Sequence, residues 1–331
     1  MTEKENPIHS IKISSRVTIP GNIFLAPMAG FTDAAFRHIC RENGSDLCYT
    51  EMVSCEALVR DSRKTKAMAE RAENEDIYAV QLFCASPETA RRALAEILPL
   101  NPVLIDLNCG CPVPKIIKSG AGAALMREPE KIGEIVKALA EETEIPVTVK
   151  LRSGWDSGSI TFLKAAEAAA RGGAAMVALH PRTKTQGYSG TADREKIKQL
   201  KKETDIPVIG SGDIFTPESA LEMIASTGCD GVMVARGAVG RPEIFREIRH
   251  LASTGKLPEI SFNDKIKNAL AHLELAVRYR GEAIAVKEMK KHLCAYIKGV
   301  KGSAAIRNTI VHCTETEEYR NILNNLVNTT A

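Results

Sequence analysis

The stretch DLNCGCPVPKIIKSGAGAAL, residues 106–125, crowds an amide, two thiols and two cations around the end of one apolar run. Asn108 offers both a donor and an acceptor, Cys109 and Cys111 offer thiols, and Lys115 and Lys118 lead into a segment carrying Gly120 and Gly122. A thiol with an ordinary pKa keeps its proton near neutrality and can release it in a transition state, so either cysteine has the chemistry of a general acid. Cysteines two apart are too close for the C-x-x-C spacing of zinc sites, and no second pair answers them, so no metal is expected. The chain has nine cysteines, scattered from Cys40 to Cys313, which favours free thiols over a disulfide framework.

Similar polar groups close the other apolar runs. The first ends in Pro27-Met28-Ala29, and the third carries Gln81. The fifth delivers Lys150 and Arg152, and the sixth His180 and Arg182. The seventh and eighth end in Gly210-Ser211-Gly212-Asp213 and Ala235-Arg236-Gly237. Each residue alone has a bland reading: Gln81 as a core amide, Lys150 as a solvated charge, His180 as a structural histidine. Together they describe one polar mouth.

The elements that must build this mouth are eight apolar runs rich in Val, Ile and Leu, at 23–30, 47–52, 78–83, 103–110, 147–154, 176–183, 208–214 and 231–238. Amphipathic stretches separate them. That at 86–100 opens with Ser86 as N-cap, Pro87 in the first turn and Glu88 behind it. That at 216–228 opens on Thr216-Pro217 and closes on Gly228. Runs of consecutive apolar residues fit strands covered on both faces, as in parallel sheets. Eight strand–helix alternations in about 230 residues are the count and length of a TIM barrel, whose chemistry gathers at the C-terminal strand ends. A doubly wound open sheet is the competing architecture, and the lack of G-x-G-x-x-G after the first strand weighs against it. Residues 1–252 read as the barrel, 253–264 as a Gly/Pro-bearing linker, and 265–331 as a small all-helical bundle.

The glycine loops after the seventh and eighth runs name part of the ligand. Backbone N–H groups there can close on an anion, which is where barrels of this kind bind phosphate, and Arg236 adds charge. With Gln81, Asn108 and Lys150 across the mouth, the site suits a phosphate tail joined to a flat, hydrogen-bonding head. FMN is such a ligand.

The set PMAGFTDAAFR, TEMVS, QLF, DLNCGCPVPKIIKSGAGAAL, VKLRSGWD, HPRTKTQGYSGTADR, GSGDI and ARGAVGRPEIF resembles the tRNA-dihydrouridine synthases, most closely their B-type bacterial branch. The resemblance covers roughly residues 20–250, and a helical C-terminal domain is also a family feature. It implies reduction of the C5=C6 bond of uridine in the D-loop of tRNA, with FMN reduced by NADPH (or NADH). Carried over by position, the flavin contacts fall on Pro27, Met28, Ala29, Gln81, Lys150, Ser211, Gly212, Asp213, Ala235 and Arg236. Asn108 and His180 match positions lining the site. The catalytic cysteine matches Cys111, which would protonate uracil C5 after hydride arrives at C6 from flavin N5. The chain departs from the family at Ser211, Cys84, Cys109 and Pro181. These changes leave the reaction in place and leave fine substrate preference open.

A tRNA substrate gives the exposed cations a role. Lys115, Lys118 and the nearby glycines read as a mobile basic loop beside the mouth, with Arg152, Arg182 and Lys184 contributing. The target base must be turned out of its stack to enter. In the helical domain Lys287, Lys291, Lys298 and Lys301, with Lys290 beside them, form one basic stripe if the helix runs through. Two other readings share the barrel: an FMN enzyme acting on a small free pyrimidine, like dihydroorotate dehydrogenases, and an RNA-binding barrel without catalysis. Net charge is only +3, no apolar run reaches the ~18 residues of a membrane span, and the first residues carry no signal-peptide core. A cytoplasmic location is expected, and no protein partner is implied.

Overall fold

The computed structural model describes residues 6–330. A short antiparallel hairpin, β1 (Ile11–Lys12) and β2 (Thr18–Ile19), comes first. The barrel strands follow: β3 (Ile23–Leu25), β4 (Leu47–Cys48), β5 (Val53–Ser54), β6 (Ala79–Phe83), β7 (Leu104–Cys109), β8 (Val147–Gly154), β9 (Met176–Thr183), β10 (Val208–Ser211) and β11 (Gly231–Val234). These nine pair in parallel in the order β4-β3-β11-β10-β9-β8-β7-β6-β5. Because β4 and β5 are neighbouring pieces of one run, the two ends of this list meet. A parallel bridge between Tyr49 and Ala79 joins them, with the Thr50 N–H 2.9 Å from the Ala79 carbonyl. The architecture is a TIM barrel with helices outside and a helical region at the C-terminal end.

The second run is therefore broken rather than continuous over 47–52. The break has a local cause. The Gln81 N–H donates to the Thr50 Oγ1 at 3.1 Å, so a side chain stands where a backbone acceptor would continue the ladder. Glu51 turns aside and accepts from the Gly30 N–H. The runs at 147–154 and 176–183 are strands throughout, whereas those at 23–30, 103–110, 208–214 and 231–238 end early, where the chain leaves the sheet to form the mouth; residues 236–238, for example, turn as a 3-10 helix.

Two cores lie on either side of the barrel wall. Inside are Phe24, Ala26, Leu47, Tyr49, Ala79, Leu104, Met176, Ala178, Ile209 and Met233, together with Ile11, Ile13 and Ile19 of the hairpin segment. The hairpin, which the sequence reading did not foresee, thus closes the barrel floor. Between wall and helices lie Val80, Leu82, Ile105, Leu107, Cys109, Val147, Val149, Leu151, Val177 and Leu179. Alternate residues of each strand go to alternate cores, as the pleat requires.

Helix Ile244–Thr254 ends the barrel on Gly255, which takes a left-handed φ of +70°. Helix Phe262–Arg280 then starts on a Ser261–Asp264 capping box. The connection is therefore 255–261, since each flanking helix claims residues of the compositional linker at 253–264. Helices Glu282–Tyr296, Ser303–His312 and Thr316–Thr330 complete the helical region around Leu273, Leu293, Tyr319 and Leu323. Ala35 of the first barrel helix, Ala34–Glu42, packs into the same cluster. The mouth of the barrel also touches this region at Gly240 (φ +72°), where a Cβ would lie 2.4 Å from the Ala295 backbone. Only glycine lets the end of helix Glu282–Tyr296 come so near.

Arg37 pairs with Glu75 through its Nε at 3.0 Å, both side chains within 1% of full burial, and also donates to the Thr32 and Glu70 carbonyls. This pair ties the first barrel helix to the segment before β6. Removing one partner strands a buried charge, so Arg37→Ala should lower stability by about 3–5 kcal/mol in denaturant unfolding.

Candidate active site at the barrel mouth

A cavity of about 760 Å³ opens at the C-terminal strand ends. Its lining draws Pro27, Met28 and Ala29 from the segment after β3, Gln81 from β6, and Asn108 and Cys111 from β7 and beyond. It draws Lys150 and Arg152 from β8, His180 from β9, Ser211, Gly212 and Asp213 from the end of β10, and Ala235 and Arg236 after β11. Strand register sets several of these side by side, with Gln81 opposite Asp106, Asn108 opposite Lys150 and Arg152 opposite His180.

The two cysteines of the opening stretch part company. Cys109 is fully buried in the core between wall and helices. Cys111, half-buried, faces the cavity, and its carbonyl accepts from the Ala123 N–H at 3.0 Å. Burial raises the Cys111 thiol pKa, opposed by a hydrogen bond from the Val113 backbone and the charge of Arg152. The thiol therefore keeps its proton at neutral pH.

Side chains around it form a connected set. Asn108 Oδ1 accepts from the N–H groups of Gly110 (3.2 Å) and Cys111 (2.9 Å), and Asn108 Nδ2 donates to Gln81 Oε1 at 2.8 Å. Gln81 Nε2 donates to Asp106 at 2.7 Å, and the Thr148 hydroxyl donates to the other carboxylate oxygen at 2.6 Å. Asp106 was not among the residues singled out from the sequence. The signal was there: it shares the inward phase of Asn108 two residues on and sits as a lone acid in an apolar run. Burial pushes its pKa up to about 6, against hydrogen bonds from Thr148 and Gln81. Burial and the neighbouring Arg152 lower Lys150 to about 8, with Asp106 pulling the other way.

Two arginines expected at an RNA-facing rim are instead internal braces. Arg152 is 3% exposed and donates to the carbonyls of Gly110 (2.7 Å), Thr183 and Gly187 (both 2.9 Å). Arg182 is 2% exposed, pairs with both Asp213 oxygens at 2.8 and 2.7 Å, and donates to the Ser189 and Gly190 carbonyls. Burial disfavours the Asp213 carboxylate, yet bonds from Arg182 and the Ala192 N–H hold its pKa below the usual value. Arg182 also donates to His180 Nε2 at 3.3 Å. Since guanidinium only donates, this assigns the His180 proton to Nδ1.

The remaining expected cations, Lys298 excepted, lie outside the cavity. Lys115 and Lys118 are exposed on a short helix, Pro114–Lys118, followed by a buried 3-10 segment, Gly122–Arg127. This stretch is folded and packed rather than a mobile loop, because Ile116 and residues 122–126 are buried. Lys184 lies 4.5 Å from the Trp155 ring centroid, with Arg127 at 4.4 Å. The basic stripe does not run along one helix, since that helix stops at Tyr296. Lys290 donates to the Val311 carbonyl at 2.7 Å, and Lys291 lies over Phe31 at 5.1 Å. Lys298, past the helix end, lines the cavity with Ala295. The reading from sequence also passed over Phe31, Met52, Tyr188 and Phe215, apolar or aromatic residues on the cavity wall that no periodicity marks.

The residues present fit a flat heterocycle with a phosphate tail. Gln81 and Asn108 each keep one N–H beyond the bonds above. The backbone N–H groups of Gly212, Asp213 and Arg236 meet no acceptor among the described residues. At Gly212 (φ +111°) a Cβ would lie 2.8 Å from His180 Cδ2, so the chain there comes as close to the imidazole as glycine permits. No cluster of three or more metal-ligating side chains occurs among the described residues, and no helix there is long and apolar enough to cross a membrane.

Comparison with known proteins gives a consistent result. Residues 24–331 match the family model described as dihydrouridine synthase. The chain is 42% identical over 325 residues to a probable tRNA-dihydrouridine synthase of Treponema pallidum, covering 95% of each chain. It is 34% identical over 301 residues to tRNA-dihydrouridine synthase B of Pseudomonas syringae, covering 91% of this chain and 89% of that one. Among solved structures, histamine dehydrogenase from Rhizobium sp. 4-9 superposes with a TM-score of 0.57 at 14% identity, over 81% of this chain and 51% of that one. The old yellow enzyme homologue of Zymomonas mobilis gives 0.51 at 11%, over 77% and 95%. These two likenesses concern the fold.

Burial, then the charges of Lys150, Arg152 and Arg182, lower the His180 pKa to about 2. Its unfolded value is about 6.5, so the unfolded chain binds the extra proton as pH falls. The stability this neutral ring contributes is fully present above about pH 6.5 and is lost progressively below it. Heteronuclear NMR of the imidazole should show no titration between about pH 5 and 8.

Proposed function

Because the chain belongs to the dihydrouridine synthase family, we propose that it reduces the C5=C6 bond of D-loop uridines in tRNA with FMN, using a nicotinamide donor, NADPH or NADH. The observation that carries this reading is a half-buried, proton-retaining thiol, Cys111, in the same cavity as Lys150 and a run of unengaged backbone N–H groups.

On this reading the N–H groups of Gly212, Asp213 and Arg236 hold the cofactor phosphate, with the Arg236 guanidinium beside them, while Gln81 and Asn108 bind the edge of its ring. Ser211, Ala235, His180 and the Pro27-Met28-Ala29 segment complete that contact surface. Lys150, mainly cationic at pH 7 given its pKa of about 8, neutralises negative charge on the bound ring. FMN held there would supply the hydride for uracil C6. Cys111 then releases the proton on its Sγ to C5, and burial of the thiol keeps that proton available until it is needed. Arg152 fixes the acid by gripping the Gly110 carbonyl one residue upstream. Neutral His180 lines the site without adding charge.

The RNA surface follows from cations that carry no carboxylate partner among the described residues: Lys115, Lys118, Arg127 and Lys184 of the barrel, and Lys298 and Lys301 beyond the Glu282–Tyr296 helix. The helical region thereby becomes a tRNA-binding domain. Lys290 and Lys291 support it from within, by capping the Ser303–His312 helix and packing on Phe31.

Nucleoside mass spectrometry after anaerobic incubation with unmodified tRNA, FMN and NADPH should show uridine gaining two hydrogens. Reduction of free uridine with tRNA untouched would move the reading to a small-pyrimidine reductase. Cys111→Ala should retain flavin and lose about 10²–10⁴-fold in single-turnover reduction. The double substitution Lys298→Glu, Lys301→Glu should weaken tRNA binding and flatten the slope of log affinity against log salt by about 2, with flavin oxidation of NADPH unaltered.

A further inference from the structure

Asp106 takes no part in the chemistry described so far, yet it ends the hydrogen-bond chain that runs to Cys111. The direction of that chain is decided by its ends. A carboxylate can only accept, so the 2.7 Å contact forces Gln81 to turn Nε2 toward Asp106. That leaves Gln81 Oε1 facing Asn108, which must donate through Nδ2, as the 2.8 Å contact records. Asn108 therefore shows Oδ1 to the loop, where the Gly110 and Cys111 N–H groups, which can only donate, require it. Carboxylate at one end and two backbone N–H groups at the other impose the same polarity. Both amides are held in one of two otherwise near-equivalent flips. Asp106 is 1% exposed, and Thr148 occupies its other oxygen, so water cannot substitute for it.

We infer that Asp106 is a positioning residue: through Gln81 and Asn108 it fixes, in a single hydrogen-bond polarity, both the amide pattern shown to the cavity and the seat of the loop carrying Cys111. One carboxylate thus aligns the wall that holds the cofactor with the acid that serves the substrate. The inference rests on the proposed roles of Gln81 and Cys111, but the hydrogen-bond polarity does not, and it can be read without turnover.

The measurement is the rate of Cys111 alkylation by iodoacetamide, followed peptide by peptide by mass spectrometry on the purified full chain, alongside FMN affinity by fluorescence quenching. Asp106→Leu removes the acceptor while keeping the branching of the side chain, and should change the Cys111 rate and the FMN dissociation constant by about five- to tenfold each, the worth of one buried hydrogen bond. Gln81→Met breaks the next link and should shift the Cys111 rate by a similar factor. The double variant should go no further than either single one, as members of one chain do not add. Asp106→Asn keeps an oxygen for Gln81 and should stay within about twofold of the parent. If Asp106→Leu fails to fold, the comparison of Gln81→Met with Asp106→Asn still decides. An unchanged Cys111 rate in Asp106→Leu or Gln81→Met, additive effects in the double variant, or an Asn variant as impaired as the Leu one would each overturn the inference. Loss of the Cys111 acid role alone would alter turnover and leave these alkylation results standing.

Discussion

The pleat of a parallel strand sends successive side chains to opposite faces, and this barrel uses that constraint to run two programmes along one backbone. In β7 the outward phase is Ile105, Leu107 and Cys109, all in the core beneath the helices. The inward phase is Leu104, Asp106 and Asn108, apolar at the floor and polar toward the mouth. β8 repeats the arrangement with Val147, Val149 and Leu151 outward and Thr148, Lys150 and Arg152 inward. A single-residue slip would exchange the two sets and carry charged groups into the outer core. The site is therefore held in place by the same hydrophobic contacts that hold the strands, and polar side chains reach full burial because partners wait for them inside.

Much of this was legible in the sequence because its signals are local. Eight apolar runs, the Ser86 and Thr216 caps and the polar strand ends belong to short stretches, and they place twelve cavity-lining residues and Cys111 at one mouth. What could not be read depends on partners far along the chain. Arg182 looks like a free cation until Asp213, 31 residues on, is found against it. Thr50 breaks the second strand because Gln81 comes to it from another strand. The basic stripe fails for a similar reason: the spacing of lysines is local, but the point where their helix stops is set by packing and by turn residues beyond Tyr296. Asp106 is the instructive omission, since strand phase marked it and only its chemical plainness hid it.

Charge on this surface is sorted by whether it is answered. The brace arginines Arg37, Arg152 and Arg182 spend their donors on carbonyls and carboxylates inside the protein. By contrast, Lys298 at the mouth and the exposed lysines at 115, 118 and 301 have no such partner among the described residues. A net charge of +3 thus understates the field at the opening, because neutralised pairs elsewhere contribute little to it.

The hairpin beneath the barrel has a kinetic implication. With Ile11, Ile13 and Ile19 packed into the floor, a reactant can come and go only on the side of the strand ends where the cavity lies. On the proposed function, a nicotinamide and an everted nucleotide would then be rivals for one doorway, each obliged to wait until the other has left. Such an enzyme works as a turnstile: its two half-reactions alternate, a high concentration of either visitor obstructs the other, and the protein must store the result of the first visit between them.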